Sequence, residues 1–323
     1  MRRISILMLM LFTLFALAAW PQAGAQSESP AEPVPAVTHN TWSSGAAMPT
    51  ALKFPMAGAI KGQIYVVGGV TDTAVVASNQ IYNPLANTWS TGAEIPVTTF
   101  DGAAAVVKNV LYIFGGNTDG VTLTNAVWAY NPKKNEWSAK TAMPTTRESA
   151  AAAVEKNVIY VIGGVDQHQN RLNTVESYNP VTDTWTEEAP LLVGKSEPSA
   201  GLIGSTIVAA DGFTSSWDTG DNEGYSASTN SWQSLASDPT PRNSACGGSI
   251  KGQLYVAGGW NNSVTLNVTE SFKKKWTTLA SMPQAVVSPG FALNAGQLYC
   301  IGGGDNGTVF RGNVFNYVQI YQP

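Results

Sequence analysis

Cysteine and histidine are nearly absent from this sequence, with two of each in 323 residues. That excludes a Cys/His zinc array and a disulfide-dense scaffold. Charge is thin as well: charged residues make up 12%, about half of the ~25% usual in soluble domains. Net charge is only −4 and no long block of one sign occurs, so nucleic acid, which needs a dense basic face, is not an expected partner. What the chain does have is 44% hydrophobic residues, 31 Gly and 10 Trp. This excludes disorder and points to many short strands joined by turns. Length alone is compatible with about two domains of ~150 residues.

Arg2 and Arg3 precede an apolar run from Ile4 to Trp20, and Ala23-Gly24-Ala25 follows. Basic region, apolar core and small-x-small site, in that order, predict a secretory signal peptide over residues 1–25. The competing reading is an uncleaved anchor, for which a run of 17 residues without a basic flank on its far side is marginal. Residues 26–40 carry three prolines and no apolar periodicity, so they read as an extended tether. Export to periplasm, cell surface or medium is the expectation. No later stretch is apolar enough to span a membrane, and a monomer is expected.

The rest, 41–323, repeats. Trp42, Trp89, Trp137, Trp185, Trp232 and Trp276 are spaced 47, 48, 48, 47 and 44 residues apart. Glycine pairs keep the same beat at Gly68-Gly69, Gly115-Gly116, Gly163-Gly164, Gly258-Gly259 and Gly302-Gly303, while Asp211-Gly212 stands where the fourth pair would be. Tyr-Asn-Pro marks Tyr82, Tyr130 and Tyr178, degenerates at Tyr225 and Phe272, and is echoed at Tyr321. Each unit reads as four short strands bounded by Gly, Asn and Pro. In the third unit these are a small-residue run over 149–154, Val158–Ile162, a strand ending at Tyr178 and one centred on Trp185. One such sheet cannot cover both its faces, so the units must pack face to face, and radial stacking into a ring leaves few edges exposed.

These residues resemble the kelch-repeat family of β-propellers: the diglycine after Ile64-Tyr65-Val66-Val67, the Tyr-Asn-Pro, the spaced Trp, and Met-Pro at Met48, Met143 and Met282. The resemblance covers residues 42–323 and implies an all-β, six-bladed propeller of four-stranded antiparallel blades. Phase predicts its closure, because the chain begins with a lone fourth strand at Trp42 and stops at the end of a third strand at Tyr321. The first strand should therefore lie beside 314–321. The repeat Trp should supply bulk between blades, and the glycines should let backbone approach a neighbouring aromatic. Glu176, Glu223 and Glu270, in register two residues before the Tyr/Phe marker, read as structural.

Residues that break the repeat are the functional candidates. Sixteen before the first glycine or its equivalent stand Leu52, Thr99, Arg147, Lys195, Arg242 and Val286, so three successive units place a cation at the start of the innermost strand. Loops on the same face add Asp166, His168, Arg171, Trp217, Asp218, Asp221, Trp260 and Asn261. A basic crescent of Arg147, Lys195 and Arg242 with Asp166, His168, Trp217 and Trp260 would suit a carboxylate-bearing or polyhydroxylated ligand. The competing reading is that the cations bridge blades. His168 is the only histidine in the ring, no metal or cofactor site is expected, and the copper site of kelch-type oxidases cannot be assembled. The expected role is a non-enzymatic protein- or carbohydrate-binding module. A rival follows from resemblance to exported kelch rings of the sialic-acid mutarotase type, with Arg147, Lys195 or Arg242 as clamp and Glu148 or Glu197 as acid/base. Adjacent blades could bring Cys246 and Cys300 together, but both fill apolar strand slots in which free cysteine is commonly buried.

Overall fold

The computed structural model describes residues 39–323. The expected signal peptide and all but the last two residues of the tether lie outside that range. Six four-stranded antiparallel sheets form a ring, and no helix occurs among the described residues. In blade 3 the strands are Ala151–Glu155, Val158–Ile162, Val175–Asn179 and Thr184–Glu188, within two residues of the sequence reading. Blade 6 is the closing one. Its fourth strand is Thr41–Ser44, which pairs with Val318–Gln322 in the register Trp42↔Tyr321. The predicted closure is therefore present.

Period-two alternation explains why the second strands are apolar throughout. In Gln63–Val67, Ile64 and Val66 face blade 6, while Tyr65 and Val67 face blade 2. Both faces of each sheet are buried, and six apolar clusters fill the six gaps between neighbouring blades. The fourth-strand Trp does more than fill space. Every one of the six donates its indole N–H to a carbonyl of the preceding blade, from Trp89 on Ala46 at 2.9 Å round to Trp42 on Ala280 at 2.9 Å. In five blades a left-handed Asn or Asp ahead of the fourth strand adds one further link to the blade before and a second bond within its own blade. Asn87, for example, accepts from Tyr82 Oη and from the Ala46 amide of the blade before. Blade 5 has Phe272 and Lys273-Lys274-Lys275 there instead, so its Trp276 indole holds the joint without them.

The glycine pairs meet backbone rather than the expected aromatic ring. Gly258 has φ of +70°, and a Cβ there would sit 2.6 Å from the Val286 carbonyl of the next blade and 3.2 Å from Met282 Sδ. Four other first glycines meet the next blade's carbonyl in the same way, through Thr99, Arg147, Lys195 and Leu52. A ring packed this tightly at the level of main chain has no room for a side chain at those positions.

Blade 4 breaks this rule twice at one spot. Asp211 replaces the glycine, and Asp238 replaces the Met or Leu that fills the slot as Met143, Leu191 and Met282 do elsewhere. Both carboxyls are buried. Burial drives the Asp211 pKa far above the ordinary carboxylate range, with Asp238 adding to it and Arg242 and Lys195 opposing. Burial likewise lifts Asp238 to about 7, against the pull of Arg242 and with Glu270 adding to the rise. Between the ordinary value of 3.8 and about 7 the fold holds a proton that the unfolded chain has released, so stability falls as pH rises through that window. Asp238→Leu, which writes the residue of blade 3 into blade 4, should raise the melting temperature at pH 8 more than at pH 5. Equal shifts at both pH values would refute the assignment.

Cys246, on the first strand of blade 5, is disulfide-bonded to Cys300 on the second strand of blade 6. Of the two readings left open by the sequence, the bridged one holds. The facing first and second strands of adjacent blades bring the two Cα atoms to 5.7 Å, within bonding geometry.

Candidate functional site

The three cations do not face the funnel. Arg147, Lys195 and Arg242 are 1%, 0% and 0% exposed, and each pairs with the in-register glutamate of its own blade. Arg147 lies 2.6 Å from Glu176, Lys195 lies 3.0 Å from Glu223, and Arg242 contacts Glu270 and Asp238. Further donors go to carbonyls at the ends of the second and third strands, such as Arg147 Nη1 to Gly163 at 2.9 Å and Thr174 at 3.0 Å. The basic crescent expected from the sequence is thus withdrawn into the blades, and the structural reading of Glu176, Glu223 and Glu270 identifies its partners. The physical reason is backbone conformation: the next residue but one takes a left-handed φ in every blade, so the chain turns there and that residue, not the cation, stands at the axis.

That next position, in phase round the ring, is Phe54, Asp101, Ser149, Glu197, Ser244 and Ser288. All six have left-handed φ between 50° and 57°. Around the axis they hand backbone hydrogen bonds to one another, including Asp101 N to Phe54 O at 3.0 Å, Ser149 N to Asp101 O at 2.7 Å and Glu197 N to Ser149 O at 2.7 Å. Phe54 N on Ser288 O and Ser288 N on Ser244 O, at 2.8 and 2.9 Å, continue the circle. This inner hoop carries an axial cavity of about 100 Å³, walled below by small residues such as Ala57, Ala103, Ala151 and Ala245.

Two of the six hoop residues, Asp101 and Glu197, are acids, and serines hold both. Ser149 Oγ donates to Asp101 Oδ2 at 2.5 Å, and Ser244 Oγ lies 2.6 Å from Glu197 Oε2. Burial pushes the Asp101 carboxyl well up, and Glu197 and Glu148 push it further against the Ser149 hydrogen bond. Glu197 is raised by burial, then by Glu148 and Asp218, with Ser244 and Arg171 opposing. Glu148 is raised by burial against Asn117 and Arg171. The mouth therefore gathers three acids whose charged forms burial disfavours, with the half-buried guanidinium of Arg171 opposing the shift at Glu148 and Glu197. Arg171, from the 166–171 loop, stacks 5.0 Å over the Phe213 ring.

The other candidates lie on the same face in differing roles. Asp166 folds its own loop, accepting from the amides of His168 at 2.8 Å and Asn170 at 2.9 Å, and His168 is exposed at that loop's tip. Trp217 is 64% exposed on a loop held by Thr214. Trp260 is half-buried in a short hairpin, Trp260–Asn261 with Val264–Thr265. Asp218 joins the two, accepting from Asn243 Nδ2 at 2.5 Å and the Asn262 amide at 2.9 Å. Asp101, Ser149, Ser244 and Asn243 are additions that the sequence reading did not single out, as is Lys53. Buried Lys53 donates to the Thr308 carbonyl at 2.8 Å and to that of Arg311 at 2.5 Å, pinning the 305–313 loop beside the mouth. The signal for the axial residues was available: they stand two after the cation column in every unit.

A family model described as the Attractin/LZTR1 beta-propeller matches residues 64–278, about two-thirds of the chain. The protein belongs to that kelch-type propeller family. The solved structure of YjhT aligns with a TM-score of 0.71 at 18% identity, covering 85% of this chain and 96% of that one. At that identity the likeness is one of fold. No curated protein matches the sequence.

Proposed function

We propose that this propeller is an exported binding module that receives a neutral or amino-bearing saccharide at its axial mouth. The observation that carries the reading is the pair of carboxyls, Asp101 and Glu197, that line the axial cavity with Glu148 and Arg171 close by. With Arg147, Lys195 and Arg242 occupied by glutamates, the three-cation clamp that an acidic ligand would need is spent inside the blades, and carboxyls at the mouth disfavour such a ligand. Hydroxyls and amines suit such a mouth, and exposed Trp217 supplies a stacking surface. A cavity of about 100 Å³ is small beside the ~300 Å³ of an enclosing small-molecule site, which favours contact at the rim over chemistry in a dry pocket. The Cys246–Cys300 bridge supports an oxidising compartment, in keeping with export.

Saturation-transfer NMR with neutral, amino and acidic sugars tests this. Binding should follow the first two classes, and Trp217→Ala should weaken it about tenfold, the loss of one aromatic contact of ~1 kcal/mol or slightly more. Preference for acidic sugars, or indifference to Trp217→Ala, would overturn the reading. A second reading keeps the same mouth but makes it an anomer-exchange catalyst, favoured by the raised carboxyls of Glu148 and Glu197. Accelerated anomer exchange that is lost in Glu197→Gln would establish it.

A further inference from the structure

The face opposite the axial mouth has a composition of its own. Four of the six first-to-second-strand turns open with an exposed lysine, Lys61, Lys108, Lys156 and Lys251, at φ of 49–50°. That left-handed position favours Gly, Asn or Asp, so conformation does not account for choosing lysine four times. The third-to-fourth turns of two blades add exposed Lys133, Lys134 and Lys273 to Lys275. Among the described residues, three acidic side chains share these turns and their flanks. Glu155 is buried beside Lys156 at 3.3 Å, Asp183 accepts from Tyr178 Oη and the Thr141 amide, and Glu136 is exposed. A chain of net charge −4 is thus strongly polar, basic on one face and carboxyl-rich on the other.

Two further features belong to this face. Three of the lysines, Lys61, Lys108 and Lys133, line a cleft of about 460 Å³ between blades 1 and 2 together with Asn109 and Tyr65. The chain also joins the ring here, because His39 Nδ1 donates to the Pro323 carbonyl at 2.6 Å, where the strand Val318–Gln322 ends and Thr41–Ser44 begins. The 38 residues before that point include the apolar run Ile4 to Trp20.

We propose that the lysine face docks on an anionic lipid surface, with the cleft between blades 1 and 2 taking a phosphate headgroup. Lysine is a hydrated point charge suited to a diffuse layer of phosphates, and its attraction there adds up residue by residue. The exposed apolar side chains of the face are aliphatic, Leu85 at 99% and Val181 at 74%, on turn tips where they would reach the acyl boundary. An acidic polysaccharide would be expected to find exposed aromatic rings, and the large exposed Trp and Phe, Trp217 and Phe310, stand on the other face.

The test uses the chain from Gln26 onward, which contains every strand of the closed ring, so that the apolar run cannot itself bind lipid. Sedimentation with phosphatidylcholine vesicles containing phosphatidylglycerol should show binding that pure phosphatidylcholine does not support and that salt reverses. The triple variant Lys61→Gln, Lys108→Gln, Lys133→Gln should bind on the order of a hundredfold more weakly, while Arg311→Gln, in the exposed 305–313 loop of the other face, should bind as before. An unchanged melting temperature shows the triple variant folded; if it is not, the single variants, each expected to lose about fivefold, decide. No vesicle binding, binding insensitive to these lysines, or binding to an acidic polysaccharide in place of vesicles would overturn the proposal.

Discussion

Glu176→Leu should destabilise the ring by about 3–5 kcal/mol, because it leaves the buried Arg147 guanidinium without its counter-charge. The double replacement Arg147→Leu with Glu176→Gln should recover most of that loss. Blade 1 already contains this alternative: Leu52 stands in the cation position and Gln80 in the glutamate position. Gln80 there accepts from the Thr50 amide at 2.9 Å and donates to the Thr50 carbonyl at 3.2 Å, and blade 6 repeats the arrangement with Gln319 on Gln284. The slot is therefore satisfied either by a neutral amide on the crossover backbone or by an ion pair, and a half-converted slot is the costly state. Chemical denaturation of the two variants measures this. A double variant as unstable as Glu176→Leu would mean that blade 3 needs its charge for some other reason.

Replacing both Cys246 and Cys300 by Ala should cost about 2–5 kcal/mol, seen as a lower denaturation midpoint. The bond spans a sequence separation of 54 residues and ties blade 5 to the blade that the N-terminal strand completes. In the unfolded chain it closes a long loop, which is where most of the stabilisation originates in the chain-entropy account. Native packing should change little, since both side chains already sit in the apolar cluster between these blades. The wild type should therefore lose the same stability on reduction, and the Ala variant should be indifferent to reductant. A wild type equally stable with and without reductant would contradict this.

Much of the architecture was legible in the chain. The Trp, Gly and Tyr markers in phase gave the blade count, and the offset between Trp42 and Tyr321 gave the closure. Their individual roles were partly legible. The indole N–H and the Asn87-type turn residue link blades because each unit repeats the same hydrogen-bond geometry, whereas the glycines avoid carbonyls that no sequence pattern displays. The site was harder. Arg147, Lys195 and Arg242 co-occur with Glu176, Glu223 and Glu270, while Leu52 and Val286 co-occur with Gln80 and Gln319. That matching within one chain marks the ion pairs, but only as a correlation until the two columns are seen to touch.

By itself the sequence determined the number of sheets, their order and the strand that closes them, because period-two alternation and turn chemistry act over a few residues and repeat. Tertiary structure alone decided which columns of side chains meet the axis and which meet a partner inside the blade. The left-handed residue two positions before each innermost strand turns the chain at the axis, so the axial hoop and its carboxyls follow from backbone conformation and ring closure together.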